Sequence, residues 1–144
     1  MIKTLILSAI LFFLCFSQIQ AQVLGKVNNQ GDPTLTFSSS EILDSWNELL
    51  SSSDLEVTLT AVTIEKRGDL YFLVARGSGY KSTSLNTSTG ELSLATIGGV
   101  KVSCTTKACA NAHGCEATPD GLCSVCTIDS QDCTKSTSNS NYLF

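Results

Sequence analysis

Phe37-Ser-Ser-Ser-Glu-Ile-Leu-Asp-Ser-Trp-Asn-Glu-Leu-Leu50 and, after Ser51-Ser-Ser-Asp54, Leu55-Glu-Val-Thr-Leu-Thr-Ala61 change hydrophobic period within one short stretch. In the first part, Ile42, Leu43, Trp46, Leu49 and Leu50 recur at the spacing of one helical face, with Asp44, Ser45, Asn47 and Glu48 opposite. Ser38-Ser-Ser-Glu41 has the form of a capping box, in which serine and glutamate each satisfy a backbone N–H that the first turn leaves unbonded. Phe37 and Ile42 occupy the two positions of a hydrophobic staple. The pattern predicts a helix that begins after Ser38, stops in Ser51-Ser-Ser-Asp54, and buries Trp46 in a core.

In the second part, Leu55, Val57, Leu59 and Ala61 alternate with Glu56, Thr58 and Thr60, the period of a half-buried strand. The apolar parity flips at Val62 and Ile64, which predicts a bulge or a strand emerging from under the helix. Lys66-Arg-Gly-Asp69 is a turn, and turn chemistry accounts for its Arg-Gly-Asp triplet. Leu70-Tyr-Phe-Leu-Val-Ala75 is apolar on both parities and belongs in the middle of a sheet. Gly77-Ser-Gly79 breaks the chain, residues 80–85 resume as a more polar strand, and Asn86-Thr-Ser-Thr-Gly90 turns it again. Residues 91–96 and 100–105 supply two further strands around Gly98-Gly99. Upstream, residues 22–36 carry the turn-forming run Asn28-Asn-Gln-Gly-Asp-Pro33 and read as irregular chain or a short edge strand. The expected fold class is α+β: one N-terminal helix on an antiparallel meander of about 4–5 strands, then a disulfide-stabilised, loop-rich C-terminal region.

The first 21 residues have the form of a secretory signal peptide cleaved after Ala21. Lys3 gives the positive n-region, residues 5–16 the apolar stretch, and Ser17-Gln-Ile-Gln-Ala21 a polar end with a small residue. The apolar run is shorter than a spanning helix requires. Leu14 stands before Cys15 where a lipid-anchored leader carries a small residue. Cleavage leaves 123 of 144 residues, enough for one modest core but not two. With Lys3 gone, 8 basic side chains face 13 acidic ones, a charge of −5 with no cluster of Lys or Arg. Displacing counterions from a polyphosphate needs such a cluster, so nucleic acid is not an expected partner. No later segment approaches membrane-spanning length. The expected location is secreted, periplasmic or extracellular.

Six cysteines, Cys104, Cys109, Cys115, Cys123, Cys126 and Cys133, fall within 30 residues, whereas the 82 residues 22–103 contain none. Between Lys81 and Asn141 there is no aromatic residue, and the cysteine region has only Leu122, Val125 and Ile128 as sizeable aliphatics. Such a segment cannot bury enough apolar surface to offset the entropy of ordering, so cross-links must substitute for a core. An even cysteine count in an exported chain predicts three disulfides, with 15 pairings that spacing does not separate. Two sharper alternatives stand beside this. Cys104, Cys109, Cys123 and Cys126 form two pairs loosely like a zinc ribbon. Cys123-Ser-Val-Cys126 has the form of a redox-active pair, although it follows a turn, Thr118-Pro-Asp-Gly121, instead of opening a helix.

His113, the only histidine, lies between cysteines in Asn111-Ala-His-Gly114, without a recognisable nucleophile or orienting partner. Asp120, Asp129 and Asp132 do not have the spacing of an EF-hand loop. The expectation is therefore no catalytic residue, cofactor or metal, and a non-enzymatic module whose partner is a protein or envelope component. The division of the chain reads as 1–21 signal peptide, 22–103 helix plus meander, 104–133 cysteine-rich extension of the same domain, and 134–144 flexible Ser/Thr/Asn-rich tail.

Two resemblances attach to these residues. The leader ending in Ala21-Gln22, with the segment from Val102-Ser-Cys-Thr105 through Asp132-Cys-Thr-Lys135, resembles small exported cysteine-rich proteins of Bacteroidota-type bacteria. That resemblance implies a location and no activity. Ile42 to Leu94, with its Thr89-Gly-Glu91 turn, is distantly similar to PepSY-type or cystatin-like units, which implies a binding or inhibitory role.

Overall fold

The structure, a computed structural model, describes residues 21–88, 90–139 and 143–144, so all of the expected leader except Ala21 lies outside the described residues. The elements are β1 (Gly25–Val27), β2 (Pro33–Leu35), α1 (Ser39–Ser52), β3 (Ala61–Arg67), β4 (Leu70–Gly77), β5 (Tyr80–Ser88), β6 (Glu91–Leu94), β7 (Val100–Thr106) and β8 (Thr134–Asn139). One helix, antiparallel strands and a disulfide-linked C-terminal region make the α+β fold expected from the sequence.

The helix forms where the pattern places it. Ser38 is the N-cap, its Oγ accepting from the Glu41 N–H, and Ile42, Trp46, Leu49 and Leu50 are buried. Ser53 closes the last turn through its N–H, and Asp54 takes a left-handed φ of 58° that a helix cannot continue.

Residues 55–60 depart from expectation. Val57 and Leu59 are inside, as the alternation predicts, but no strand forms there. The Asn47 side chain on α1 takes the place of a neighbouring strand. The Leu59 N–H donates to Asn47 Oδ1 at 2.7 Å, and Asn47 Nδ2 donates to the Leu59 carbonyl at 3.0 Å. The chain then crosses Gly77 so closely that a Cβ there would overlap the Thr58 carbonyl oxygen. Only glycine fits that crossing.

β3, β4 and β5 form successive hairpins, the second closed by Ser78-Gly79 with φ values of 52° and 76°. Residues 86–88, expected as a turn, instead extend β5. The sheet forks at this strand. Residues 81–83 pair with β7, and residues 86–88 pair with β6. One branch runs β2-β1-β6-β5-β4-β3, and its end strands β2 and β3 approach each other in a nearly closed six-stranded barrel. The other continues from β7 to β8. Among the described residues, eight strands thus replace the expected four or five. Residues 22–36 contribute the β1–β2 hairpin, and Thr134–Asn139, expected as part of a flexible tail, pairs along its whole length with β7.

β4 is apolar on both parities because both faces of the sheet are covered. Leu73 and Ala75 face α1 and join a core with Leu24, Ile42, Trp46, Leu50 and Leu59. Phe72 and Val74 face the opposite way and pack with Leu85, Val102 and the cysteines. Trp46 is fully buried, donates from Nε1 to Ser103 Oγ at 2.7 Å, and stacks on Phe144 with ring centroids 4.3 Å apart.

Candidate functional site: a disulfide cap over a charged cleft

β7 and β8 are the two stems of a long excursion. Thr105 pairs with Thr134, and the chain between them folds back over the outer face of the sheet as a cap. The bonds are Cys104–Cys123, Cys109–Cys126 and Cys115–Cys133, each joining residues 17 to 19 positions apart. They link first to fourth, second to fifth and third to sixth cysteine, so every bond encloses an end of the other two. Cys104 lies on β7, so its bond ties the cap directly to the sheet. A loop of this length gains about 3 kcal/mol from each closure by restricting the unfolded chain.

The thiol-pair alternatives do not match this pairing. Cys104, Cys109, Cys123 and Cys126 are consumed by two disulfides, and thiolates in bonds cannot ligate zinc. Among the described residues, no group of three or more His, Cys, Asp or Glu is placed to hold a metal ion. Cys123 and Cys126 are bonded to different partners, so they do not form the single bond of a redox pair.

Local hydrogen bonds shape the cap. Thr118-Pro-Asp-Gly121 closes a small hairpin in which Ala117 bridges Cys123, and Ser124 exchanges bonds with Cys115 and Glu116. Gly114, at φ 99°, lies so close to Val125 that a Cβ would overlap its carbonyl oxygen. Asp132 accepts from Thr106 Oγ1 and the Lys107 N–H at 2.9 Å each, and also from the Ala108 N–H. Asp129 accepts from the Gln131 N–H, and Asp120 from Thr118 Oγ1, so the three aspartates serve separate turns.

The cap inverts the usual partition of side chains. Its inner side is sulfur and alanine, with Cys109 and Cys115 fully buried beside Ala117 and against Cys104 of β7. Its sizeable aliphatics point out: Leu122, Val125 and Ile128 are 56%, 64% and 68% exposed.

Polar side chains of the sheet hold the cap down. Thr83 Oγ1 donates to the Cys115 carbonyl and accepts from the Ala117 N–H, both at 3.2 Å. Lys81 is 1% exposed, and its Nζ donates to the carbonyls of Ala112 at 2.9 Å and Gly114 at 3.2 Å. Arg76 donates to the Ala110 carbonyl and lies 3.4 Å from Glu65. Arg67 pairs with Glu65 at 2.7 Å and with Glu116 of the cap. The arginine of the Arg-Gly-Asp triplet therefore faces this network.

Between this network and the rim residues 111–113 lies a cleft of about 380 Å³ lined by Glu65, Arg67, Arg76 and Lys81. Burial, then the charges of Arg67 and Arg76, push the Lys81 amine down to about 8. For Glu65, burial opposes ionisation, but hydrogen bonding and charge from Arg67, with Arg76 behind it, hold its carboxyl below the usual range. His113 stands exposed at the rim and gives its carbonyl to Thr127. Sequence reasoning misses this cleft, although a two-residue turn at Ser78-Gly79 already implies that Arg76 and Lys81 face each other.

No helix among the described residues is long and apolar enough to cross a membrane. Neither a family model, a curated protein nor a solved structure matches the chain.

Proposed function

We propose that the protein is a non-enzymatic, extracytoplasmic binding module whose disulfide cap presents the recognition surface. The observation that carries this reading is the outward placement of Leu122, Val125 and Ile128 on a segment that three disulfides hold in shape. A side chain of this kind gains about 1.5–3 kcal/mol on full burial, so a partner that covered all three would be bound substantially by them. Holding the loop rigid before contact removes an ordering cost that a flexible loop would meet on binding. The partner class is a protein or envelope component with an apolar docking surface.

The disulfides favour an oxidising compartment, which fits a signal peptide over 1–21 and a mature chain starting at Gln22. N-terminal sequencing of the protein from its native source would read Gln22 under this proposal and Met1 if the leader is retained. The binding reading is tested by replacing Leu122, Val125 and Ile128 together with serine. Cross-linking in the native envelope fraction is expected to yield a partner with the wild type and none with the folded triple variant. A partner captured equally by both would overturn the assignment to the cap.

A further inference from the structure

The register sets Arg76 on β4 directly opposite Lys81 on β5. Like charges facing each other across a ladder are destabilising, and here one of them is also buried. Arg67 on β3 lies on the same face of the sheet and adds a third cation. The facing anions are Glu65 from β3 and Glu116 from the cap, and Glu116 lies 3.9 Å from Lys81. Among the described residues, three cations against two carboxylates leave one positive charge unbalanced at this site, within a chain whose formal net charge is −4.

Arg76 is the least committed of the three. Its side chain is 44% exposed, its Glu65 contact is long at 3.4 Å, and its contacts to Glu65 and Ala110 engage two of its five N–H groups. The cleft beside it is open and large enough for a small molecule. We propose that this cleft binds one small oxyanion, a carboxylate or phosphate group, against Arg76 with Lys81 and Arg67 behind it. An anion there would balance the excess charge and relieve the repulsion between the facing cations. The exposed Asn111 and His113 stand at the rim to contact the remainder of such a ligand. This inference is independent of whether the cap's aliphatic side chains dock a partner.

The test is an NMR titration of the full oxidised chain with inorganic phosphate and, separately, acetate, at an ionic strength held constant with chloride. Saturable shifts are expected at Arg76, Lys81 and residues 111–113 for at least one of the two, and the responding anion identifies the group. Arg76→Gln, at an exposed position, is expected to weaken binding at least about tenfold while all three disulfides remain formed. Acetate affinity should also fall between pH 7 and 9, because the bound anion, whose own charge is constant there, favours the charged Lys81 amine among Arg67, Arg76, Glu65, Glu116 and His113. Failure of both anions to saturate, or saturation unchanged in Arg76→Gln, would overturn the proposal.

Discussion

The two faces of one sheet are covered by opposite means. Toward α1, Leu73 and Ala75 meet Ile42, Trp46 and Leu50, and the layer is held by fitted apolar side chains. Toward the cap, Phe72, Val74 and Leu85 meet cysteines and alanines, while the cap's own aliphatics face outward. The sheet supplies apolar surface to both layers, but only the helix returns it in kind. Disulfides and a charged network therefore do for the cap what packing does for the helix. Freed from the core, the cap's large side chains stand exposed to solvent.

The helix side should be the more sensitive to a single truncation. Trp46→Ala removes a fully buried ring, its bond to Ser103 and its stack on Phe144, at an expected cost of about 3–5 kcal/mol. Urea denaturation of the oxidised protein measures it. A loss below about 1 kcal/mol would break the contrast between the two faces. The cap side should respond to the loss of a cross-link. Replacing Cys109 and Cys126 together with serine should cost about 3 kcal/mol and accelerate amide exchange in the cap more than in α1. Equal acceleration in both would mean that the layers unfold as one unit.

The helix is legible in the sequence because its signals are local: a cap at Ser38, an apolar stripe and a serine-rich stop all lie within one short segment. Both-face burial of β4 is legible for the same reason, since its own residues carry it. Residues 55–60 mislead because alternation reports burial, and burial alone does not supply a hydrogen-bonded neighbour. β8 is hidden because Thr134-Lys-Ser-Thr-Ser-Asn139 has no apolar side chain, and only β7 makes it a strand. The disulfide pairing is closed to inspection because spacing leaves every partner open. The charged cleft joins residues from three strands and the cap, so it exists only after folding.

Acid should weaken the turn at the base of the cap. The Ala108 N–H, against the effect of burial and with help from Thr106 and the Lys107 N–H, holds the Asp132 carboxyl below its ordinary value of 3.8. Stability from a depressed carboxyl is present above the unfolded value and lost as pH falls through the folded one. Asp132→Ala should therefore cost about 1–2 kcal/mol at neutral pH and flatten the loss seen below about pH 4. In alkali stability again rises with pH, but Lys81 contributes a relieved cost instead of a gain, because its folded value of about 8 lies below 10.5. Its cost is complete below about pH 8 and is relieved as pH rises towards 10.5, where the unfolded chain binds the extra proton. Urea midpoints from about pH 7 to 10 should show this rise, and Lys81→Met should remove it.

The smallest expected change sharpens the comparison most. Leu50 and Ile128 are both large aliphatics, one fully buried under the sheet and the other 68% exposed on the cap. Leu50→Ala should cost about 2–5 kcal/mol, because it removes buried methyl groups and leaves a cavity. Ile128→Ala should change stability by no more than about 0.5 kcal/mol, because its side chain already meets water. Thermal unfolding of the two variants beside the wild type reads both effects in one experiment. A cost above about 1.5 kcal/mol for Ile128→Ala would show the cap aliphatics to be structural after all, and the outward-facing surface would lose its claim to recognition.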